Sequence, residues 1–448
     1  MKRRKSNHGA RLAWIALAVL FVAIAGTFVA ATVWFDSYLR SRELLELVTG
    51  LTGRSFHSDA RIEPLRWTGS SAFTEQVGLT GRPGSVVREV AASQVRAELN
   101  WRAAFSGIWR VDEISMTQFD GDFGPPGAAD GAEVQPVAPK PSGLAALLPR
   151  KFELGQAKIA AANIAYEQAR ATSVRLLVTP DGVGWRFDGN GGTLNVPFLP
   201  ALEILHFRAR EQGGDFFLTE SALGLGESGK ISASGESGGD GLLRVSWTGI
   251  RSRDVLDAKV QNHLEGKLSG SAEIRPPGSV RGKFQLVDGR VENVKALAAV
   301  ADFTGNPSFR RMPLQEMSSD FSYENGVLQL TAFIAESKGL LRVEGAGRLA
   351  PDGKIEGRFQ IGVTPQTLQW LPGSRERVFT VARNGYLWTE LVLGGTLENP
   401  TEDLTARLTR AMGGAVIEQG AGLIKEAPAK AIDGAKTILD SFIGPLAP

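Results

Sequence analysis

The chain has 448 residues, a near-balanced charge of 50 basic against 48 acidic side chains, and no cysteine. Its length allows one large or two to three ordinary domains, and the missing global basic field argues against a nucleic-acid role. Without Cys there are no disulfides, thiolate metal sites or thiol nucleophiles.

Met1 to Arg11 carries Lys2, Arg3, Arg4, Lys5 and Arg11 and no acid, and Leu12 to Phe35 then runs uncharged until Asp36. At about 1.5 Å per residue, a helix over 12–35 is long enough to cross a ~30 Å hydrocarbon core. Its anchor residues are Leu12, Trp14, Phe21, Phe28, Trp34 and Phe35, with both tryptophans near the ends, where amphipathic rings favour the interface. The basic tail 1–11 predicts a cytoplasmic N-terminus, with everything after Asp36 across the membrane. A signal peptide cleaved at Ala23-Ile24-Ala25 is the rival reading; the apolar run continues past that point, which favours an anchor.

Asp36 to Thr52 reads as a short helix with Leu39, Leu44, Leu45, Leu47, Val48 and Leu51, stopped near Gly50 and Gly53. Val86 to Trp101 and Val111 to Phe123 read as strands, with a helical turn around Trp101 to Arg110 between them. Gly124 to Gly143 is rich in Pro, Ala and Gly and lacks periodicity. It reads as a flexible loop that either separates two subdomains or decorates one sheet.

From Lys151 a period-2 alternation recurs. Its clearest stretch is Leu340 to Thr364, where Leu341, Val343, Ile355, Phe359, Ile361 and Val363 face one side and Arg342, Glu344, Arg348, Glu356 and Arg358 the other. Pro351-Asp352-Gly353 between the two runs predicts a hairpin. Leu243, Val245 and Trp247, then Leu268 and Ile274, then Phe284 and Leu286 repeat the pattern. Further turns are expected at Pro180-Asp181-Gly182, Asp288-Gly289 and Asn325-Gly326. One helix, Val291 to Phe303, interrupts the strands and stops at Gly305. Strands end near Leu397, and 403–448 reads as a Gly/Ala-rich helical tail capping the sheet, with contact to a membrane or partner as the sharper alternative. The expected divisions are thus 1–11, 12–35, 36–123, 124–143, 144–402 and 403–448.

Chemical motifs are weak. Gly224 to Gly229 fits a dinucleotide fingerprint and Gly235 to Gly239 a nucleophile elbow, yet each is followed by strand-like alternation and not by the helix that chemistry needs. The histidines, His8, His57, His206 and His263, have no shared spacing. No catalytic residue, metal ligand or cofactor is expected, and the chain reads as a non-enzyme.

The order of segments carries a likeness. GKFQLVDGRVENVKALAAVADFTG, FSYENGVLQL and LLRVEGAGRLAPDGKIEGRFQIGV within 281–364, with Val87 to Met116, Leu147 to Glu167 and Gly394 to Pro400 behind the anchor, resemble the AsmA-like family of envelope proteins. That resemblance implies a bacterial inner-membrane anchor and a periplasmic, strongly curved antiparallel β-sheet whose apolar concave face handles phospholipid in outer-membrane biogenesis. Its implied partners are the membrane, phospholipid or another acyl-chain lipid, and envelope proteins, with no nucleic acid. A short chain, the Pro-rich loop and the Gly/Ala-rich tail depart from the family's pattern.

The expectation is therefore a mostly β protein: a transmembrane helix, a long antiparallel sheet open as a groove, a few short helices and a helical tail. A sheet with one apolar face must cover it with a second layer or a ligand, and few covering elements are in view. The groove-lining candidates are Leu243, Val245, Trp247, Leu268, Ile274, Phe284, Leu286, Leu341, Val343, Ile355, Phe359, Ile361 and Val363. A periplasmic scaffold or assembly factor for outer-membrane proteins, working through the polar faces and the tail, is the alternative.

Overall fold

The computed structural model describes residues 41–100, 108–125, 151–197, 199–236, 241–256, 261–275, 278–293, 306–369, 374–396 and 399–412, with Ser37, Ala103 and Ala301 singly. The expected anchor over 12–35, most of the loop over 124–143 and the tail beyond Met412 lie outside those residues. Among the described residues no helix is long and apolar enough to cross a membrane. Most of them are in strands, arranged in two compact units, Met1–Glu167 and Gln168–Pro448.

In the first unit a helix covers Arg42–Ser55, and the Ser41 hydroxyl accepts the Leu44 amide at 3.3 Å as its N-cap. The helix continues through Gly50 and Gly53, past the expected stop. A Cβ on Gly53 would lie 2.8 Å from the Ser58 carbonyl oxygen, so that glycine permits close packing and does not end the helix. Strands β1 (Ser58–Ile62) and β2 (Arg66–Thr68) share one edge of β3 (Ser71–Gly81), followed by β4 (Val87–Asn100) and β5 (Ile108–Phe123), all antiparallel. Trp109 and Arg110, expected in a helical turn, already belong to β5.

β6 (Lys151–Tyr166) lies parallel to β5, in register from Ile108↔Lys151 to Phe123↔Tyr166. This corrects the expectation of a wholly antiparallel sheet. A parallel neighbour obliges the chain to travel back the length of the strand before pairing, and the Pro-rich stretch joins the end of β5 to the start of β6. It therefore falls inside the first unit.

The second unit is an antiparallel meander. It comprises β7 (Ala169–Asp181), β8 (Gly184–Asn190), β9 (Thr193–Asn195), β10 (Leu202–Gln212), β11 (Asp215–Leu225), β12 (Gly229–Glu236), β13 (Leu243–Arg251), β14 (Leu264–Arg275) and β15 (Ser279–Glu292). It continues through β16 (Arg311–Leu314), β17 (Glu316–Glu324), β18 (Val327–Ser337), β19 (Leu341–Leu349), β20 (Ile355–Val363), β21 (Val381–Arg383), β22 (Tyr386–Gly395) and β23 (Pro400–Glu402). Neighbours in sequence are neighbours in the sheet, except where two short strands share one position: β8 with β9, β16 with β17, and β21 with β23 on the outer edge of β22. About fourteen positions at ~4.8 Å give roughly 60 Å along the meander.

Turn chemistry follows the sequence at Asn325-Gly326, where φ is +51° and +78°, the left-handed pair that a two-residue hairpin requires. It departs at Asp288-Gly289. Here β15 runs on through a bulge, with Asp288 at φ +54°, and changes partner from β17 to β16. The expected helix start at Val291 is likewise a strand residue, paired with Leu264 and Met312. The bulge keeps the strand going to Glu292 where a turn and a helix were expected; beyond Asn293 only Ala301 of that segment is described.

The two ends of the meander differ. One carries tight turns. The other carries Ser252–Val255, the 3-10 turn Pro307–Phe309, and the short helices Pro365–Leu368 and Ser374–Arg377. Buried apolar clusters collect at this second end: Leu202, Leu225 and Ile250; Leu286, Ala301, Phe309, Met312, Leu314 and Leu340; and Leu368, Val378, Phe379, Leu387, Leu404 and Leu408. The last cluster contains the helix Leu404–Met412, so the start of the tail does cover the end of the sheet.

Two polar devices finish this end. The open edge of β22 between β21 and β23 is stopped by Asp403, which accepts the Val392 amide at 2.9 Å, and by Arg407, which donates to Thr389 Oγ1 at 3.1 Å and to the Glu390 carbonyl. Across β17 to β22, Arg342 binds Glu336 at 2.6 Å, Glu344 at 2.7 Å and Glu316 at 3.3 Å. Arg383 reaches Glu344 at 2.5 Å while stacking 4.2 Å from the Trp388 ring centroid, and the Tyr386 hydroxyl donates to Glu336 at 3.0 Å. Desolvation pushes Glu344 up, but the hydrogen bonds from Arg342 and Arg383 outweigh it and hold its carboxyl below the usual range.

Candidate functional site

Antiparallel partners in register share a face of the sheet. Following the pairs across the second unit gives continuous apolar rows. Nearest the tight turns runs Leu243↔Ile274↔Val280↔Tyr323↔Leu328↔Leu349↔Ile355. Beside it runs Ala233↔Val245↔Ala272↔Gly282↔Phe321↔Leu330↔Gly347↔Gly357↔Leu393. Next come Ile231↔Trp247↔Gly270↔Phe284 and Phe333↔Gly345↔Phe359↔Leu391. Leu268↔Leu286, Val343↔Ile361 and Leu341↔Val363↔Leu387 lie toward the helical end. Every one of the groove-lining candidates therefore falls on the same face.

Their neighbours divide them. Leu286 is 2% exposed, and Leu268 and Leu341 pack against its cluster. Ile361 and Val363 lie against the cluster of Leu404 and Leu408, and Trp247 against that of Leu202, Leu225 and Ile250. These six border the buried clusters, and of them Leu286 alone is itself buried. Leu243, Val245, Ile274, Phe284, Val343, Ile355 and Phe359 are half-buried, and among the described residues of this unit no strand lies outside the meander to cover them.

The alternation missed Phe321, Leu328, Leu330 and Phe333, which belong to the same face. β17 shifts register between Ser318 and Asp320, and β18 between Leu330 and Phe333, where Ala332 takes φ +51°. A bulge inserts one residue and moves the following side chains off a strict odd-even count. A break in parity between two good apolar runs is the signal that could have located it.

The face has low relief, because large rings lie over glycines of the neighbouring strand. A Cβ on Gly270 would come 2.5 Å from the Trp247 ring, one on Gly345 2.5 Å from Phe359, and one on Gly282 2.7 Å from Phe321. Phe333 and Phe359 meet edge to face at 6.0 Å, and Phe284 and Phe321 tilt together at 6.4 Å. The opposite face is charged, with cross-strand pairs such as Arg244–Glu273 at 3.5 Å and Arg348–Glu356 at 3.7 Å.

The remaining sequence motifs resolve as structure. Gly224 to Gly229 is the β11–β12 hairpin, with Gly226 at φ +58° and a strand following. Gly235 and Glu236 end β12, and Ser237 lies outside the described residues. Among the described residues no group of His, Asp and Glu is placed to hold a metal ion. No family model, curated protein or solved structure matches this chain.

Proposed function

We propose that the open apolar face of the second unit holds lipid acyl chains, and that the chain is an inner-membrane-anchored envelope protein that carries or shields phospholipid without covalent chemistry, in keeping with its AsmA-like resemblance. The observation behind this reading is the half-exposed block formed by Leu243, Val245, Ile274, Phe284, Phe321, Leu330, Val343, Ile355 and Phe359, continuous across β13 to β20.

The chemistry favours an acyl chain over a peptide. A peptide laid on this face brings amides that need partners, and flat rings over glycine offer them none. An acyl chain needs none and gains about 0.8 kcal/mol for each CH₂ it buries. Larger exposed apolar patches on soluble surfaces mark binding sites of this kind.

The test is to purify the full-length chain in a mild detergent, extract it, and measure bound phospholipid by mass spectrometry. Stoichiometric lipid that falls several-fold in Val245→Asp or Phe284→Asp supports the reading. A protein free of lipid, whose apolar face is closed by another protein layer, overturns it.

A further inference from the structure

On the face opposite the apolar rows, β11 to β17 carry a depression of about 710 Å³. Its floor is Ser232, Ser246 and Ser271, one register row that continues through Lys283 to Asp320. The adjacent row, Arg244, Glu273 and Arg281, forms one rim, and Thr219 and Glu220 another. The relief comes from side-chain length: three short hydroxyl residues in a row lie among long charged ones.

The charges of this depression are not all spent on one another. Glu273 is held by Arg244 at 3.5 Å and Arg275 at 3.4 Å, and Glu220 by His206 at 3.1 Å and Arg208 at 3.9 Å. Arg281, Lys283 and Asp320 are exposed, and among the described residues none of their side chains has an ion-pair or hydrogen-bond partner. Lys283 and Asp320 are register partners yet stand outside ion-pair distance. Arg281 and Lys283 are two apart on β15 and share the face, so two cations with no partner among the described residues stand beside a row of hydroxyls.

We propose that this depression is a binding site for an anionic saccharide, a sugar ring bearing a phosphate or carboxylate. The anionic group sits between the Arg281 guanidinium and the Lys283 ammonium, where charge-assisted hydrogen bonds are strongest. The ring hydroxyls exchange donor and acceptor bonds with Ser246 and Ser271, whose hydroxyls serve in either sense, and Asp320 accepts one more. Ser232 and Ser246 already share a hydrogen bond at 2.7 Å, which fixes that edge of the floor. No aromatic side chain lines the depression, so a neutral sugar has no ring to stack on. Charge and hydroxyl pattern must carry the selectivity.

Binding of glucose 6-phosphate, glucuronate, glucose and inorganic phosphate to the full-length protein in detergent, followed by calorimetry or ligand-observed NMR, tests this. The two anionic sugars are expected to bind at least tenfold tighter than glucose, and glucose 6-phosphate tighter than inorganic phosphate. Lys283→Met and Arg281→Met should each weaken them about fivefold or more. Ser246→Val with Ser271→Val should weaken glucose 6-phosphate and leave inorganic phosphate unchanged. Absence of saturable binding, equal binding of inorganic phosphate and glucose 6-phosphate (an adventitious ion only), or unchanged affinity in folded cation variants would each overturn the site. The depression faces away from the apolar rows, so either outcome leaves the lipid test intact.

Discussion

Within one face of the second unit, the border at the helical end and the block beside the tight turns are made of the same residue types and meet different neighbours. Leu286 is buried, and Leu341 and Val363 pack against buried clusters, because Phe309, Leu368, Val378 and Phe379 in the connections on their side of the meander fold back against the sheet. Leu243, Val245 and Ile355 lie toward the end of the described turns at 325–326 and 350–354, whose residues join none of those clusters. Side-chain chemistry therefore does not separate core from candidate ligand surface in this protein. Loop length does.

The sharpest way to break that contrast is truncation at both places. Leu286→Ala removes a 2% exposed side chain and should cost about 2–5 kcal/mol, lowering Tm and the denaturant midpoint. Val245→Ala, in the half-buried block beside the tight turns, should cost less than about 1.5 kcal/mol. Equal losses would mean that the block is also a closed core. Next in size is Gly345→Val, whose new Cβ strikes both the Arg358 carbonyl oxygen and the Phe359 ring; about 1–3 kcal/mol of overpacking is expected from the same melts, with bound lipid falling as the strand and ring shift.

A pH series sharpens the contrast from the polar side. Glu344 is held below its ordinary range by Arg342 and Arg383, so its stabilisation is complete above the unfolded value of about 4.3 and is lost as pH falls through its lower folded value. The Tm gap between the parent and Glu344→Gln should be widest near neutrality and close toward pH 3. The smallest effect is expected at the exposed pair Arg348–Glu356, 3.7 Å apart, where Arg348→Ala should move stability by no more than about 0.5 kcal/mol.

The hairpins were legible because alternation and turn residues are both local: Asn325-Gly326 and Pro351-Asp352-Gly353 dictate reversals that the neighbouring strands obey. The shared face of the lining candidates was legible for the same reason. What escaped was anything set by the partner strand. Asp288-Gly289 has turn chemistry, yet pairing with β14 and β16 holds it as a bulge. Phe333 lies on the apolar face only because a bulge at Ala332 resets parity. The parallel pairing of β5 and β6 joins segments separated by a loop without periodicity, so no window of sequence contains both partners. Covered and open residues of one face looked alike because burial depends on elements distant in the chain.

The meander also has a kinetic meaning. Apart from the short strands that share a position, each strand of the second unit pairs with the one made just before it, so the sheet can zip in the order of synthesis through contacts between neighbours in the chain. At each stage the growing tip is an unpaired strand edge, which is an invitation to aggregate. Asp403 and Arg407 arrive after the last long strand and occupy the Val392 amide and the Glu390 carbonyl that another strand would seek. They act as a terminator of growth, so the register can gain or lose a hairpin upstream, about 10 Å at a time, while the final edge stays closed.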